Sequence, residues 1–121
     1  MTLTLTGKQI KDMLEQQWFD PKRPRILQVS KGFSYAWDNS KPDGERILSQ
    51  RMSLNGVPID PAVDYRVTVN NFLFVGGDGF TVLTQGTAPQ ISVYDIDALN
   101  SYFLANSPIA PGATDRIARI N

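Results

Sequence analysis

The most informative part of this sequence runs Asn70-Asn71-Phe72-Leu73-Phe74-Val75-Gly76-Gly77-Asp78-Gly79-Phe80. Three glycines stand within the four positions 76–79, where a strand would be weakened because glycine has no side chain to pack. A shaped loop is therefore predicted. Its backbone amides can approach a ligand closely, and Asp78 offers two acceptors for vicinal hydroxyl groups. The structural alternative is a tight turn in which Asp78 caps the segment that follows.

The phenylalanines before the glycines offer a second candidate contact. At most one of Phe72 and Phe74 is expected to belong to the core, while the other reaches solvent or a ligand. An exposed ring at Phe72 would stack on a nucleobase, an interaction worth about 1 to 3 kcal/mol per base. A buried ring would instead serve the core, where most phenylalanines are found.

Outward from this loop, the sequence predicts strands mixed with two main helices. Thr6 and Gln9 form a capping box for a helix over residues 7–19, and Asp95 is predicted to cap a second helix over residues 95–106. Alternation and turn residues predict strands at residues 2–5, 26–30, 33–38, 46–54, 57–59, 65–69, 91–94 and 116–120. These elements indicate an α+β class, a layered domain with a mixed, largely antiparallel sheet.

Two local features support this sheet. Asn55-Gly56 predicts a hairpin with a type I′ turn, because that turn needs positive φ at both central residues. Aromatic residues alternate along the strand at 33–38. Together with Trp18, they are predicted to pack in the core and on the sheet rather than to hold a cofactor.

Composition excludes several classes of function. The 12 basic and 12 acidic residues cancel to a net charge of zero, which removes the positive field that nucleic-acid and anionic-membrane binders use. The chain contains no His and no Cys, so imidazole and thiolate chemistry are excluded and no metal site is predicted. The longest apolar run is far shorter than the roughly 20 residues of a membrane helix. We therefore expect no nucleic-acid partner and no membrane span.

Three segments together resemble the C-terminal domain of the 5′-nucleotidase and UDP-sugar hydrolase family: Tyr65-Arg66-Val67, Asn71-Phe72-Leu73 and Gly76-Gly77-Asp78-Gly79-Phe80. The likeness extends back to Leu5-Thr6-Gly7 and forward to residues 112–117, nearly the whole chain. It implies that residues 1–121 are the substrate-binding domain of a nucleotide hydrolase, shortened at the N-terminal side. The alternative is a noncatalytic interaction or packing module in which Phe72 and Asp78 serve the fold.

The resemblance also implies roles for single residues. Phe72 would be one of two rings that sandwich the base, and Asp78 would accept hydrogen bonds from the ribose hydroxyls. Asn71, Gly76 and Gly77 would shape the loop. The family's second ring comes from a segment upstream of the strand at residues 2–5, so the pocket in this chain is expected to be incomplete.

The same resemblance places catalysis outside this chain. It implies an N-terminal metallophosphoesterase domain as partner, with two divalent metal ions there and no cofactor bound by residues 1–121. The isolated domain is expected to be inactive. A periplasmic, cell-surface or secreted parent protein and a nucleotide or nucleoside substrate are implied as well.

Overall fold

The computed structural model describes residues 1–121, which form seven strands and three α-helices. The strands are β1 (Thr2–Thr6), β2 (Phe33–Asp38), β3 (Ser53–Leu54), β4 (Val57–Pro58), β5 (Asp64–Thr68), β6 (Thr87–Gln90) and β7 (Ile117–Ile120). The helices are α1 (Gly7–Glu15), α2 (Asn71–Phe74) and α3 (Asp95–Asn106), and 3₁₀ turns occupy Gln16–Trp18, Ser49–Arg51, Gly77–Gly79 and Thr81–Gln85. The α+β class is confirmed.

The strands are divided between two sheets rather than gathered in one. A three-stranded antiparallel sheet has the order β5-β1-β6, and a four-stranded sheet has the order β4-β3-β2-β7. In the second sheet β2 pairs antiparallel with β3 and parallel with β7. The pairing is therefore mixed and largely antiparallel, as predicted.

Helix α1 connects the first sheet to the core. The capping box is confirmed: the Gln9 amide donates to Thr6 Oγ1 at 3.1 Å, and the Thr6 amide donates to Gln9 Oε1 at 2.9 Å. Ile10, Met13 and Leu14 are buried, and their spacing places them on one helical face. The helix continues as a 3₁₀ turn to Trp18, one residue short of the predicted end.

The core lies where α1 packs against both sheets. Trp18 and Trp37 meet with ring centroids 5.0 Å apart, and Tyr35 is buried with them. The prediction that these aromatic residues are structural is confirmed. The buried carboxylate of Glu15 reaches the same region, where it accepts the amides of Arg46 at 3.1 Å and Ile47 at 2.7 Å.

Three predicted strands differ from the structure. Residues 26–30 form no strand, because the Leu27 amide donates to the Gln17 side chain at 2.6 Å instead of to a neighbouring strand. Of the strand predicted over 46–54, only Ser53–Leu54 forms; Ile47 makes an isolated bridge to Trp37, and Ser49–Arg51 is a 3₁₀ turn. The 91–94 prediction is also wrong, since the edge strand β6 ends at residue 90 and the residues that follow are exposed.

Helix α3 has the predicted bounds, but its apolar side chains are not covered. Ile96, Leu99 and Tyr102 are all at least half exposed. Tyr94, rather than Asp95, occupies the N-cap position, and the Asp95 carboxylate accepts only the neighbouring Ile96 amide. None of the three helices has the length and apolar character that a membrane span requires.

Candidate functional site

The glycine loop follows directly on a short helix, α2, in a segment that the sequence predicts to be loop throughout. Asn70 Oδ1 accepts the Leu73 amide at 2.8 Å and so caps α2. The helix ends because Gly76 takes φ +87°, a left-handed conformation that glycine adopts without a steric penalty, and its amide bonds to Leu73 O at 2.9 Å. Helix α2 thereby fixes where the loop begins.

The far end of the loop is held by the core. Phe80 is 1% exposed. The two residues after Phe80 are hydrogen-bonded to the side chain of Gln16, at the end of α1. Gln16 Nε2 donates to Thr81 Oγ1 at 2.8 Å, and the Val82 amide donates to Gln16 Oε1 at 3.0 Å. The loop is therefore anchored at both ends, which makes it a rigid support for its side chains.

Phe72 presents its ring to solvent while its neighbours turn inward. Its side chain lies on α2 and is 57% exposed, whereas Leu73 and Phe74 pack against the core. Phe72 and Phe74 thus differ in burial as expected, because residues two positions apart on a helix point in nearly opposite directions. A Cβ added at Gly77 would lie 2.7 Å from two atoms of the Phe72 ring, so the ring rests on the bare glycine backbone.

Asp78 has a left-handed backbone and one charged partner. Its φ is +57°, and its Oδ1 lies 3.5 Å from Arg25 Nε. The side chain is one-third exposed and accepts no backbone amide. The 3₁₀ turn Thr81–Gln85 begins after Phe80 without a side-chain cap, so the alternative in which Asp78 caps the next segment is wrong.

A cavity of about 260 Å³ opens beside Asp78. It is lined by Gln17, Phe19, Asp20, Arg23, Arg25, Asp78 and Gly79. The Phe19 ring is 74% exposed, and a Cβ at Gly79 would lie 2.5 Å from its Cγ. Phe72 does not line this cavity, so Phe72 on α2 and Asp78 on the loop that follows are close in the chain but do not share one cavity.

A second cavity of about 550 Å³ lies between α1 and β5 and is mostly apolar. Its walls include Met13, Leu27, Val67 and Leu73, and it contains no acidic side chain. It is an open extension of the core and offers no carboxylate to a sugar. The cavity beside Asp78 is therefore the better candidate for a polar ligand.

Of the remaining residues around the loop, Asn71, Gly76 and Gly77 were predicted from the sequence, and Phe19 and Arg25 were not. Asn71 is exposed and its side chain makes no hydrogen bond, whereas the neighbouring Asn70 does the capping. Gly76 and Gly77 shape the loop through their backbones. Phe19 and Arg25 were missed, because nothing in their local sequence links them to a loop more than fifty positions away.

The donor set does not fit a two-metal centre. Such centres use His and Asp ligands, the chain contains no His, and no three acidic side chains lie together in a way that could hold a metal ion. What this chain's own residues can do around Asp78 is recognise a ligand through hydrogen bonds, charge and aromatic contact.

Comparison with known proteins identifies the family. The family model described as 5′-nucleotidase, C-terminal domain, matches residues 1–85, and the chain belongs to this family. An apyrase from Tabanus yao is 31% identical over 128 aligned residues, which cover 96% of this chain and 23% of that protein. A 5′-nucleotidase-related protein from Glossina morsitans morsitans is 35% identical, with 97% of this chain and 23% of that protein covered.

A solved structure shows the same fold. The crystal structure of a 5′-nucleotidase precursor from Thermus thermophilus is similar to this chain with a TM-score of 0.86 and 35% identity. The similarity covers 99% of this chain and 25% of that chain. This chain therefore spans about a quarter of the length of the relatives described.

Proposed function

We propose that this domain binds the nucleoside part of a nucleotide for a phosphate-ester hydrolase. The observation that carries the proposal is the pair formed by Phe72 and Asp78, an exposed ring on α2 and a partly exposed carboxylate on the loop that follows it. The names of the relatives, an apyrase and 5′-nucleotidases, support a nucleotide as the ligand class. The exposure of Phe72 argues against the alternative in which its ring serves only to pack the fold.

Each residue has a separate task in this proposal. The Phe72 ring stacks on the face of the base, and the ribose hydroxyls donate to the Asp78 oxygens. Gly77 allows the ring to lie close to the loop, so the two contacts keep a fixed separation. Holding both ends of the nucleoside fixes the position of the attached phosphate, which favours reaction by proximity.

Hydrolysis itself is proposed to occur outside these 121 residues. A metallophosphoesterase domain of the same protein would carry two divalent metal ions, which polarise the phosphate and activate water. The contribution of this chain is to bind, to orient and, through movement of the whole domain, to carry the substrate to that centre. UDP-sugars fall within the same substrate class, because they contain the base and ribose that Phe72 and Asp78 would contact.

We further propose that the parent protein acts in the periplasm, at the cell surface or after secretion. The support is the family and the word precursor in the name of the Thermus thermophilus protein, which is in keeping with a leader that is removed.

The test uses the complete protein that carries this domain, with Phe72→Ala and Asp78→Asn. Loss of one stacking ring is expected to raise KM for AMP by about 10- to 100-fold, within the range of about 1 to 3 kcal/mol that stacking contributes. Asp78→Asn keeps an acceptor oxygen, so about a tenfold rise is expected. Tripolyphosphate has no base or ribose, and both variants should hydrolyse it normally. If both variants lose tripolyphosphate hydrolysis as severely as AMP hydrolysis, the two residues serve the fold and the proposed function fails.

A further inference from the structure

We propose that Arg25 is a positioning residue for ribose recognition, which holds the Asp78 carboxylate where it meets the sugar hydroxyls. This inference rests on the proposed function, in which Asp78 accepts those hydroxyls. Arg25 itself need not touch the substrate. Arg25 acts by orienting the Asp78 carboxylate. It should therefore determine how well the site distinguishes ribose from a sugar that lacks the 2′ and 3′ hydroxyls.

The contact between Arg25 and Asp78 leaves the carboxylate free to bind. Arg25 Nε lies 3.5 Å from Oδ1, at the distance of an ion pair. Oδ2 has no partner in the protein, and a carboxylate oxygen has room for a second donor. Asp78 makes no other ion pair or side-chain hydrogen bond, so Arg25 is its only polar partner in the protein.

Arg25 is itself held by the buried 3₁₀ turn that follows α1. Its amide donates to Gln17 O at 2.8 Å, and the Leu27 amide donates to Gln17 Oε1 at 2.6 Å. Gln17 is 1% exposed, and the Tyr35 hydroxyl donates to the same Oε1 at 2.9 Å. The backbone from which Arg25 extends is thus fixed to the core, which is what a positioning residue requires.

Stability does not account for this pair. The side chains of Arg25 and Asp78 are 53% and 33% exposed, and exposed ion pairs contribute little to folding. Asp78 also occupies a left-handed conformation in which glycine would be free of strain. A carboxylate at such a position, facing the cavity and paired with Arg25, is explained by binding.

Arg23 provides a matched control. It lines the same cavity as Arg25 and carries the same charge, but its partner is Asp20, at 3.9 Å. Removing it changes the charge of the cavity without releasing Asp78. The comparison of Arg25→Gln with Arg23→Gln therefore separates orientation of Asp78 from the general electrostatic field.

The experiment measures KM and kcat of the complete protein for AMP and for 2′,3′-dideoxy-AMP. In Arg25→Gln, the preference for AMP is expected to fall by about three- to fivefold through KM, with kcat unchanged, the size of an exposed ion pair. Arg25→Lys keeps a cation within reach of Asp78 and should restore most of the preference, while Arg23→Gln should keep the wild-type preference even if KM for both nucleotides changes. Unfolding midpoints of all variants should agree closely.

Three results would overturn the inference, and they are distinguishable. If Asp78→Asn reduces the preference for AMP and Arg25→Gln does not, Asp78 binds ribose without help from Arg25 and only the present inference fails. If Asp78→Asn itself leaves the preference unchanged, the proposed role of Asp78 fails and the inference fails with it. If Arg25→Gln raises KM for AMP and for 2′,3′-dideoxy-AMP by the same factor, a role in ribose recognition is also contradicted.

Discussion

The ring of Phe72 lies against the backbone of Gly77, five positions further along the chain. A Cβ at Gly77 would stand 2.7 Å from Cε2 and Cζ of the ring and 2.5 Å from the Phe72 carbonyl oxygen. Real Cβ atoms do not approach this closely, so any side chain at this position must displace the ring or the helix that carries it. The Phe72 ring can thus lie where it does only because Gly77 has no side chain.

Gly77→Ala is therefore expected to weaken nucleoside binding without removing any group that touches the ligand. Displacement of the ring should forfeit part of the stacking energy, and KM for AMP in the complete protein should rise by about three- to thirtyfold, less than or equal to the effect of Phe72→Ala. The measurement is steady-state hydrolysis of AMP alongside tripolyphosphate, which lacks a base.

Gly112→Ala is the control for this change. Gly112 also has an ordinary φ, but an added Cβ there meets nothing within 4 Å. The Gly112→Ala variant should leave KM for AMP and the free energy of unfolding unchanged. An unaltered KM for AMP in Gly77→Ala would mean that the ring position does not matter for binding, which would contradict stacking on Phe72.

The loop could be predicted from the sequence because its parts are close together in the chain. Phe72, Gly77 and Asp78 fall within seven positions, and the glycines alone indicate a shaped turn. Helix α2 was missed, since a single turn carries almost no periodic signal and depends on the Asn70 cap. The nature of the loop was thus visible, while the direction in which Phe72 projects was not.

The rest of the cavity depends on long-range contacts that a local pattern does not contain. Phe19 and Arg25 reach the loop only because α1 packs against the residues that follow Phe80, an arrangement held by Gln16. In the same way, the composition of segment 26–30 is typical of a strand. The Leu27 amide instead donates to the side chain of the buried Gln17, ten positions earlier. Propensity does not indicate that a side chain will take the place of a sheet partner.

Asp78→Gly should separate binding from folding. Asp78 has φ +57°, a left-handed conformation that costs a residue with a Cβ steric energy but costs glycine none. The free energy of unfolding is therefore expected to stay the same or to rise by up to about 1 kcal/mol. Ribose-dependent affinity should be lost at the same time. Chemical denaturation and KM for AMP measure the two effects.

Asn55→Gly repeats the same backbone change away from the site. Asn55 has φ +51° in the hairpin turn between β3 and β4. It should leave KM unaltered. A loss of more than about 2 kcal/mol in Asp78→Gly, well outside the usual range for an exposed position, would show that Asp78 is needed for the fold.

The 121-residue chain alone is expected to hydrolyse neither AMP nor UDP-glucose, even with added divalent metal. It has no His, and its acidic residues form no cluster that could hold a metal ion. Phosphate release is the measurement, with the complete protein as the positive control. Metal-dependent turnover by the chain alone would overturn the assignment of catalysis to another domain.

Tyr35 should make the domain less stable in alkaline solution. Burial raises the pKa of its hydroxyl from 10.0 to about 12, and the hydrogen bond to Gln17 lowers it in part. The unfolded chain releases this proton near pH 10, whereas the folded chain holds it to higher pH. The stabilising effect is therefore fully present below pH 10 and is lost as the pH rises toward 12.

Tyr35→Phe removes the group that titrates, so the loss of stability above about pH 10 should become less steep than in the wild type. The variant should also be less stable at neutral pH, because Gln17 Oε1 and the Leu27 carbonyl oxygen lose their contacts with the hydroxyl, at 2.9 and 3.1 Å. Tyr94, which is 73% exposed, is the matched control, and Tyr94→Phe should follow the wild type across the range. Urea denaturation between about pH 8 and 11.5 gives the comparison. Identical pH profiles for Tyr35→Phe and the wild type would show that burial of this hydroxyl does not govern the alkaline loss of stability.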